Sequence, residues 1–139
     1  MRRQIGLLWI VGFFGLLAAA DAQTPSSSTA GVPFNGTYRF VSSAKVNESY
    51  TARGGQMAQC PARRAGPLHI VNGQARYTSA TGYPLKGTVG AQGELTMQAV
   101  ARGQYSPIEI NVSGTVDGTG TIRARQTSNS CSYDFVWQK

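Results

Sequence analysis

Apolar and polar residues alternate with a period of two along most of the chain after residue 34, which is the pattern of half-buried β-strands. The sharpest example is Leu68-His69-Ile70-Val71, Asn72-Gly73, Gln74-Ala75-Arg76-Tyr77. Asn-Gly supplies the two positive-φ positions of a type I′ turn, and that turn sets Val71 opposite Gln74, Ile70 opposite Ala75 and His69 opposite Arg76. Leu68, Ile70, Ala75 and Tyr77 then share an apolar face, and His69, Val71, Gln74 and Arg76 share the other. Further along, Leu85, Gly87 and Val89 oppose Lys86 and Thr88, and Leu95, Met97 and Ala99 oppose Glu94, Thr96 and Gln98. Ile108, Ile110, Val112, Gly114 and Val116 oppose Glu109, Asn111, Ser113 and Thr115; Ile122 and Ala124 oppose Arg123 and Arg125. In the last strand Cys131, Tyr133, Phe135 and Trp137 share the inner side. Upstream, Thr37 to Val41 reads as the first strand, Val46 to Thr51 as its expected partner, and Gln56 to Cys60 as a short edge strand or a loop.

One stretch repeats itself. Leu85-Lys86-Gly87-Thr88-Val89, a turn ending at Gly93, and Leu95 are matched 27 positions later by Val112-Ser113-Gly114-Thr115-Val116, a turn ending at Gly120, and Ile122. Two copies of strand, glycine-punctuated turn and return strand predict an antiparallel meander. About nine strands with one apolar face each are not satisfied by an open flat sheet. The expected fold is therefore all-β, a single antiparallel meander closed into a small β-barrel or a strongly coiled half-barrel. The inward residues, large and apolar, argue for a filled interior.

The N-terminus is of another kind. Arg2 and Arg3 precede an uncharged, mostly apolar run from Ile5 to Ala20, and Ala20-Asp21-Ala22 is a small-x-small cleavage site. Those 16 residues fall short of the roughly 20 that span a bilayer. Residues 1–22 are read as a cleaved signal peptide with no transmembrane anchor left behind, residues 23–33 as a disordered Ser/Thr/Pro linker, and residues 34–139 as the β-domain. Export makes a Cys60–Cys131 disulfide the simplest use of the two cysteines. The mature chain carries 11 basic and five acidic side chains, a net charge of +6, which suits an anionic envelope component or an acidic protein as partner.

Meander geometry gathers the longer loops at one end. Pro61 to Pro67, Ser79 to Pro84, Ala101 to Pro107 and Ser128 to Ser130 share a rim bordered by both cysteines, with the tight turns at the opposite end. Arg63, Arg64, Tyr83, Arg102 and Tyr105, with Gln104 and Asn129 beside them, form the candidate binding surface, Arg and Tyr being the types that supply forked hydrogen bonding and large contact area. The competing role for Tyr83 and Tyr105 is to cap the open barrel end over Leu85 and Ile108.

Catalytic chemistry finds little support. His69, the single histidine, falls on the outer face beside Arg76, and Glu48, Glu94, Glu109, Asp117 and Asp134 are scattered rather than paired. Neither a metal-ligand spacing nor a cofactor-binding loop occurs. The outward Arg76, Lys86, Arg123 and Arg125 lack interleaved aromatic residues, which argues against nucleic acid. Asn35, Asn47 and Asn111 begin Asn-x-Ser/Thr sequons, meaningful only in a eukaryotic secretory pathway; the Ala, Gly and Arg bias favours a bacterial source.

Asn35-Gly-Thr-Tyr38, Cys60-Pro61, the Leu68-to-Gly73 hairpin, Leu85-Lys-Gly-Thr-Val89 and Cys131-Ser-Tyr133 together resemble small exported bacterial β-domains of unknown function, over nearly all of the mature chain. That resemblance implies a periplasmic or secreted domain and no particular activity. Gly36-Thr37-Tyr38 also faintly resembles the Gly-x-Trp opening of lipocalin-like barrels. The expected function is a non-enzymatic binding module, with an inhibitor of an envelope or extracellular enzyme and a lipocalin-like small-ligand carrier as the alternatives.

Overall fold

Eight antiparallel strands close on themselves in the computed structural model, which describes residues 32–103 and 106–139. The segment read as a signal peptide and most of the one read as a linker lie outside the described residues, as do Gln104 and Tyr105. A 3₁₀ turn at Val32–Phe34 leads into β1 (Gly36–Lys45), followed by β2 (Ser49–Thr51), β3 (Met57–Gln59), β4 (Leu68–Val71) and β5 (Gln74–Thr78). The chain continues through β6 (Pro84–Val89), β7 (Glu94–Arg102), β8 (Pro107–Val116), β9 (Thr121–Ser128) and β10 (Tyr133–Gln138). Strands β4 to β10 pair in sequence order, and β1 closes the ring by pairing with β10 on one side and β4 on the other. The barrel is thus a closed meander into which a small β2–β3 hairpin has been inserted.

Turn chemistry sets the registers as the alternation demands. Asn72 (φ 50°) and Gly73 (φ 75°) occupy the left-handed positions, and the hairpin pairs Val71 with Gln74, Ile70 with Ala75 and His69 with Arg76. The repeat is structural as well. Gly90 N–H donates to the Glu94 carbonyl (2.9 Å) and Gly93 N–H to Gly90 (3.1 Å), while 27 residues on Asp117 N–H donates to Thr121 (2.9 Å) and Gly120 N–H to Asp117 (3.2 Å). Gly87 and Gly114 face inward where neighbouring strands approach too closely for a side chain. A Cβ on Gly87 would lie 1.9 Å from the Thr96 carbonyl oxygen, and one on Gly114 would lie 2.2 Å from that of Arg123.

The expected pairing of Val46 to Thr51 with the first strand is corrected: β2 pairs with β3, and Gln56 to Cys60 supplies that strand. β1 meanwhile runs past Val41 to Lys45, because a bulge between Phe40 and Ser42 leaves Val41 unpaired and exposed. Beyond the bulge the inward positions shift from even to odd residues, so Ser43 sits opposite Phe135 and Lys45 opposite Tyr133.

The lower barrel is packed. Trp137 is fully buried, with its ring centroid 5.4 Å from Tyr77 and 5.5 Å from Phe135, and Leu68, Ile70, Leu85 and Ile122 are as inaccessible. Buried aromatic residues with a polar atom need a partner for it. Trp137 Nε1 donates to the Gly66 carbonyl (2.9 Å), Tyr133 hydroxyl to that of Pro61 (2.8 Å) and Tyr38 hydroxyl to that of Phe34 (2.7 Å). Two of these acceptors belong to the segment between Cys60 and Leu68. That segment is also held by Ser43 Oγ, which donates to the Arg63 carbonyl (2.6 Å), and by Gly66 N–H on Thr78 (3.2 Å), so it is stitched into the wall beside β1.

Acid sensitivity follows from the β8–β9 turn. The Asp117 carboxylate accepts from the Thr119 hydroxyl (2.6 Å), Thr121 N–H (3.0 Å) and Thr119 N–H (2.9 Å), and these bonds hold its pKa below the ordinary 3.8. Asp134 is lowered likewise, by the forked hydrogen bonds from Arg125 at 2.7 and 2.9 Å. A depressed carboxylate stabilises the fold above its unfolded pKa, and that contribution is lost as pH falls through the folded value. Melting temperature should therefore decline as pH drops below about 4. Asp117→Asn, whose amide oxygen still accepts from the two N–H groups, should flatten that decline; an unchanged acid limb would show that Asp117 does not contribute to it.

Candidate functional site: the mouth at the disulfide end

Strand alternation sends the connections after β3, β5, β7 and β9 to one end of the barrel, as the sequence predicts. At this end the interior is not filled. A cavity of about 450 Å³ opens there, with Ile108, Ile110 and Tyr133 on its inner walls and Tyr50, Arg63 and Tyr83 nearer the rim. Below the opening the interior is filled by large apolar residues, as the alternation predicts. The large inward residues are concentrated in the lower layers, and at the rim β8 and β9 present Ile108, Ile110, Gln126 and Ser128, which leave space between them.

Gln126 is the unusual residue. It continues the inward series of Ile122 and Ala124 on β9, paired with Val112 on one side and Tyr133 on the other, and is only 8% exposed. The Tyr77 hydroxyl donates to Gln126 Oε1. Burial raises the Tyr77 pKa far above the ordinary 10.0, so the phenol stays protonated and remains a donor throughout the physiological range. With Oε1 taken up by Tyr77, the NH₂ group has no acceptor in the described protein, and Gln126 lines the cavity.

The sequence-predicted rim residues separate in the structure. Arg63 and Tyr83 line the cavity. Tyr83 also packs against the core, so contact with the cavity and capping of the barrel end coexist in one side chain. Arg64 is exposed and instead lies over the Phe40 ring, its guanidinium carbon 5.2 Å from the centroid. Arg102 ends β7 opposite Pro107 and is exposed, and Asn129 is exposed in the β9–β10 turn. Tyr105 and Gln104 lie outside the described residues.

Several lining residues escape a sequence reading of the rim, among them Ile108 and Ile110 on β8. Tyr50 and Gln59 come from the β2–β3 hairpin, while Gln126 and Tyr133 come from the barrel interior. The period-two pattern reaches Gln126 two residues beyond Ala124, where a glutamine on an apolar face was the available signal.

Tertiary bonds hold the hairpin over the mouth. Cys60 and Cys131 form a disulfide with Cα atoms 5.5 Å apart. Asn47 sits beside it: Nδ2 donates to the Ser49 carbonyl (3.0 Å) and the Ser130 carbonyl (3.1 Å), while Oδ1 accepts from Ser132 N–H (2.8 Å). The amide of this sequon is thus used to fasten the hairpin to the β9–β10 connection. Val46 N–H on Ser132 (2.9 Å) and Cys60 N–H on Glu48 (2.8 Å) complete the attachment.

The electrostatic character is one-sided. Among the described residues the cavity lining includes no carboxylate, and the rim acid Glu48 is ion-paired with Lys45. Arg63 is half-buried, and its guanidinium has neither an ion pair nor a hydrogen bond within the described protein. The arrangement offers a chamber of mixed character, with three tyrosines and two isoleucines among Gln, Ser and Thr side chains, and with Arg63 in its lining. The disulfide itself marks a non-reducing compartment. No family model, no curated protein and no solved structure matches this chain, and its similarity to known proteins therefore adds nothing to what the geometry says of the site.

Proposed function

We propose that this protein is an exported, non-enzymatic binding module that holds a small apolar-bodied ligand in the mouth of its barrel. The observation that carries the reading is Gln126: a residue 8% exposed, its Oε1 taken up by Tyr77 and its NH₂ group meeting no protein acceptor, in the lining of a cavity of about 450 Å³. Binding sites combine a mainly apolar enclosure with a few placed polar groups, and a volume in this range suits a molecule of one to three rings. The basic N-terminal residues, the 16-residue apolar run and the Ala-Asp-Ala site support export, in agreement with the disulfide. Within a bacterial source the compartment is the periplasm or the exterior. The described lining contains neither carboxylate nor imidazole, and its one cysteine is in the disulfide, which supports binding rather than acid-base or nucleophilic chemistry.

Prodan, a neutral naphthalene with one ketone acceptor, tests this. It should bind the mature protein saturably with one site per chain. Gln126→Leu should weaken binding by about tenfold and shift the emission to the blue, because the ketone loses its hydrogen-bond donor. Ala80→Trp, which places a bulky ring at an exposed lining position, should block the site at unchanged stability. Absence of saturable binding, or binding indifferent to both substitutions, would remove the mouth as a ligand site and return attention to the outer lips of the loops as an enzyme-inhibiting surface.

A further inference from the structure

We infer that the ligand is an anion: a molecule with an aromatic or alicyclic body inside the mouth and a carboxylate or comparable oxyanion at the lip, received by Arg63. The inference rests on the mouth being the binding site and adds to it the chemical class of the ligand. Its first ground is the state of Arg63. Among the described residues Lys45 pairs with Glu48 and Arg125 with Asp134, and neither pair involves Arg63, a half-buried residue that lines the cavity. A guanidinium removed from much of its water and given no counter-charge is poised for a planar oxyanion, which it can grip with two parallel hydrogen bonds.

The second ground is that the backbone holds Arg63 where it is. Ser43 Oγ donates to the Arg63 carbonyl, Tyr133 hydroxyl to that of Pro61 and Trp137 Nε1 to that of Gly66, so three donors from the barrel fix the segment that carries it. The neighbouring Arg64 is engaged with the Phe40 ring and does not line the cavity, leaving Arg63 as the arginine of this loop that does. Third, nothing in the described lining opposes an anion. The polar residues there include Gln126, whose NH₂ is a donor with no protein acceptor, and the nearby acid Glu48 is neutralised by Lys45. A concave, partly apolar site with charge of one sign concentrates ions of the other. The walls fit the body of such a molecule: Ile108 and Ile110 on one side, Tyr133 backed by Phe135 at 5.7 Å on another, and Tyr50 and Tyr83 at the entrance.

Two probes that share one skeleton and differ in charge isolate the inference. 1-Anilinonaphthalene-8-sulfonate is anionic, and N-phenyl-1-naphthylamine is the same ring system without the sulfonate. The mature, oxidised protein should bind the sulfonate about tenfold more tightly, with a preference that shrinks as salt rises. Arg63→Gln should erase the preference and leave the neutral probe's affinity unchanged, and Arg63→Lys should retain part of it. Lys86→Gln on the outer wall should change neither affinity, which separates a local effect of Arg63 from the general positive charge of the chain. The inference fails if the neutral probe binds as well as the anionic one, or if Lys86→Gln lowers sulfonate affinity as much as Arg63→Gln does. Prodan binding that persists in either case would leave the mouth as the site of an uncharged ligand, whereas loss of all probe binding would remove the site itself. Thermal melts of each variant confirm folding; since the Arg63 guanidinium makes no bond within the described fold, its replacement should leave the melting temperature unchanged.

Discussion

Gly114→Val, and separately Gly87→Val, should each destabilise the barrel by on the order of 3 kcal/mol or more, and the two together should prevent it from closing. The cause is steric and lies in the backbone. A Cβ at position 114 would stand 2.2 Å from the Arg123 carbonyl oxygen and 2.5 Å from the Ala124 Cα; at position 87 it would stand 1.9 Å from the Thr96 carbonyl oxygen and 2.6 Å from the Met97 Cα. Side-chain rearrangement cannot relieve a clash with main-chain atoms that are themselves tied into the β7 and β9 ladders. An eight-stranded barrel must coil its strands sharply to close, and inward glycine is where such a strand bends. Gly118, in open space and without a positive φ, provides the control: Gly118→Ala should change stability little. Urea denaturation measures all of these, and a midpoint for Gly114→Val matching that of Gly118→Ala would show that closure does not depend on these glycines.

The 27-residue repeat made both glycines visible in the sequence, but not their reason. Matching of Gly87 to Gly114 and Gly93 to Gly120 predicts two like hairpins; that the return strand of each passes 1.9 and 2.2 Å from the absent Cβ is seen only in three dimensions. A division between local and tertiary causes runs through the fold. The register at Asn72-Gly73 and the inward faces of β6 to β10 were legible because turn chemistry and period-two burial are encoded within a few residues. The extent of β1 was not, since Ser42-Ser43-Ala44-Lys45 lacks an apolar face, and the bulge at Val41 reverses the parity that a pattern reader follows. β2 and β3, three residues each, carry no period at all and depend on Asn47 and the disulfide. In the mouth, Arg63 and Tyr83 were accessible to topology, because alternate strand starts gather loops at one end. Tyr50 and Gln59 were hidden, since nothing local says that their hairpin folds over the opening.

Removing the disulfide should have the largest effect on stability of any change outside the core. Cys60 and Cys131 are 71 positions apart, and closing a loop of that length constrains the unfolded chain by on the order of 4 kcal/mol in the chain-entropy account. For a domain of about a hundred residues this corresponds to a fall in melting temperature of roughly 15–25 °C. The pair Cys60→Ser with Cys131→Ser is the appropriate variant, because a single replacement leaves a reactive thiol next to the mouth. The loss should not be uniform. None of the barrel ladders uses residues 46–60, so β4 to β10 and the β1 pairings remain intact, while the β2–β3 hairpin keeps only the Asn47 bonds and the Val46-to-Ser132 bond as links to the β9–β10 connection. Hydrogen exchange under native conditions should then show the Cys60 and Ala52 amides, which bond to Glu48 and Gln56, losing protection well before the amides of β8 and β9. Adding Asn47→Ala to the cysteine pair should remove the remaining protection of the hairpin, with the Val112-to-Gln126 part of the ladder still slow to exchange. Equal residual protection in hairpin and barrel would instead mean that the two open together, and that the hairpin is not a separately fastened cover over the mouth.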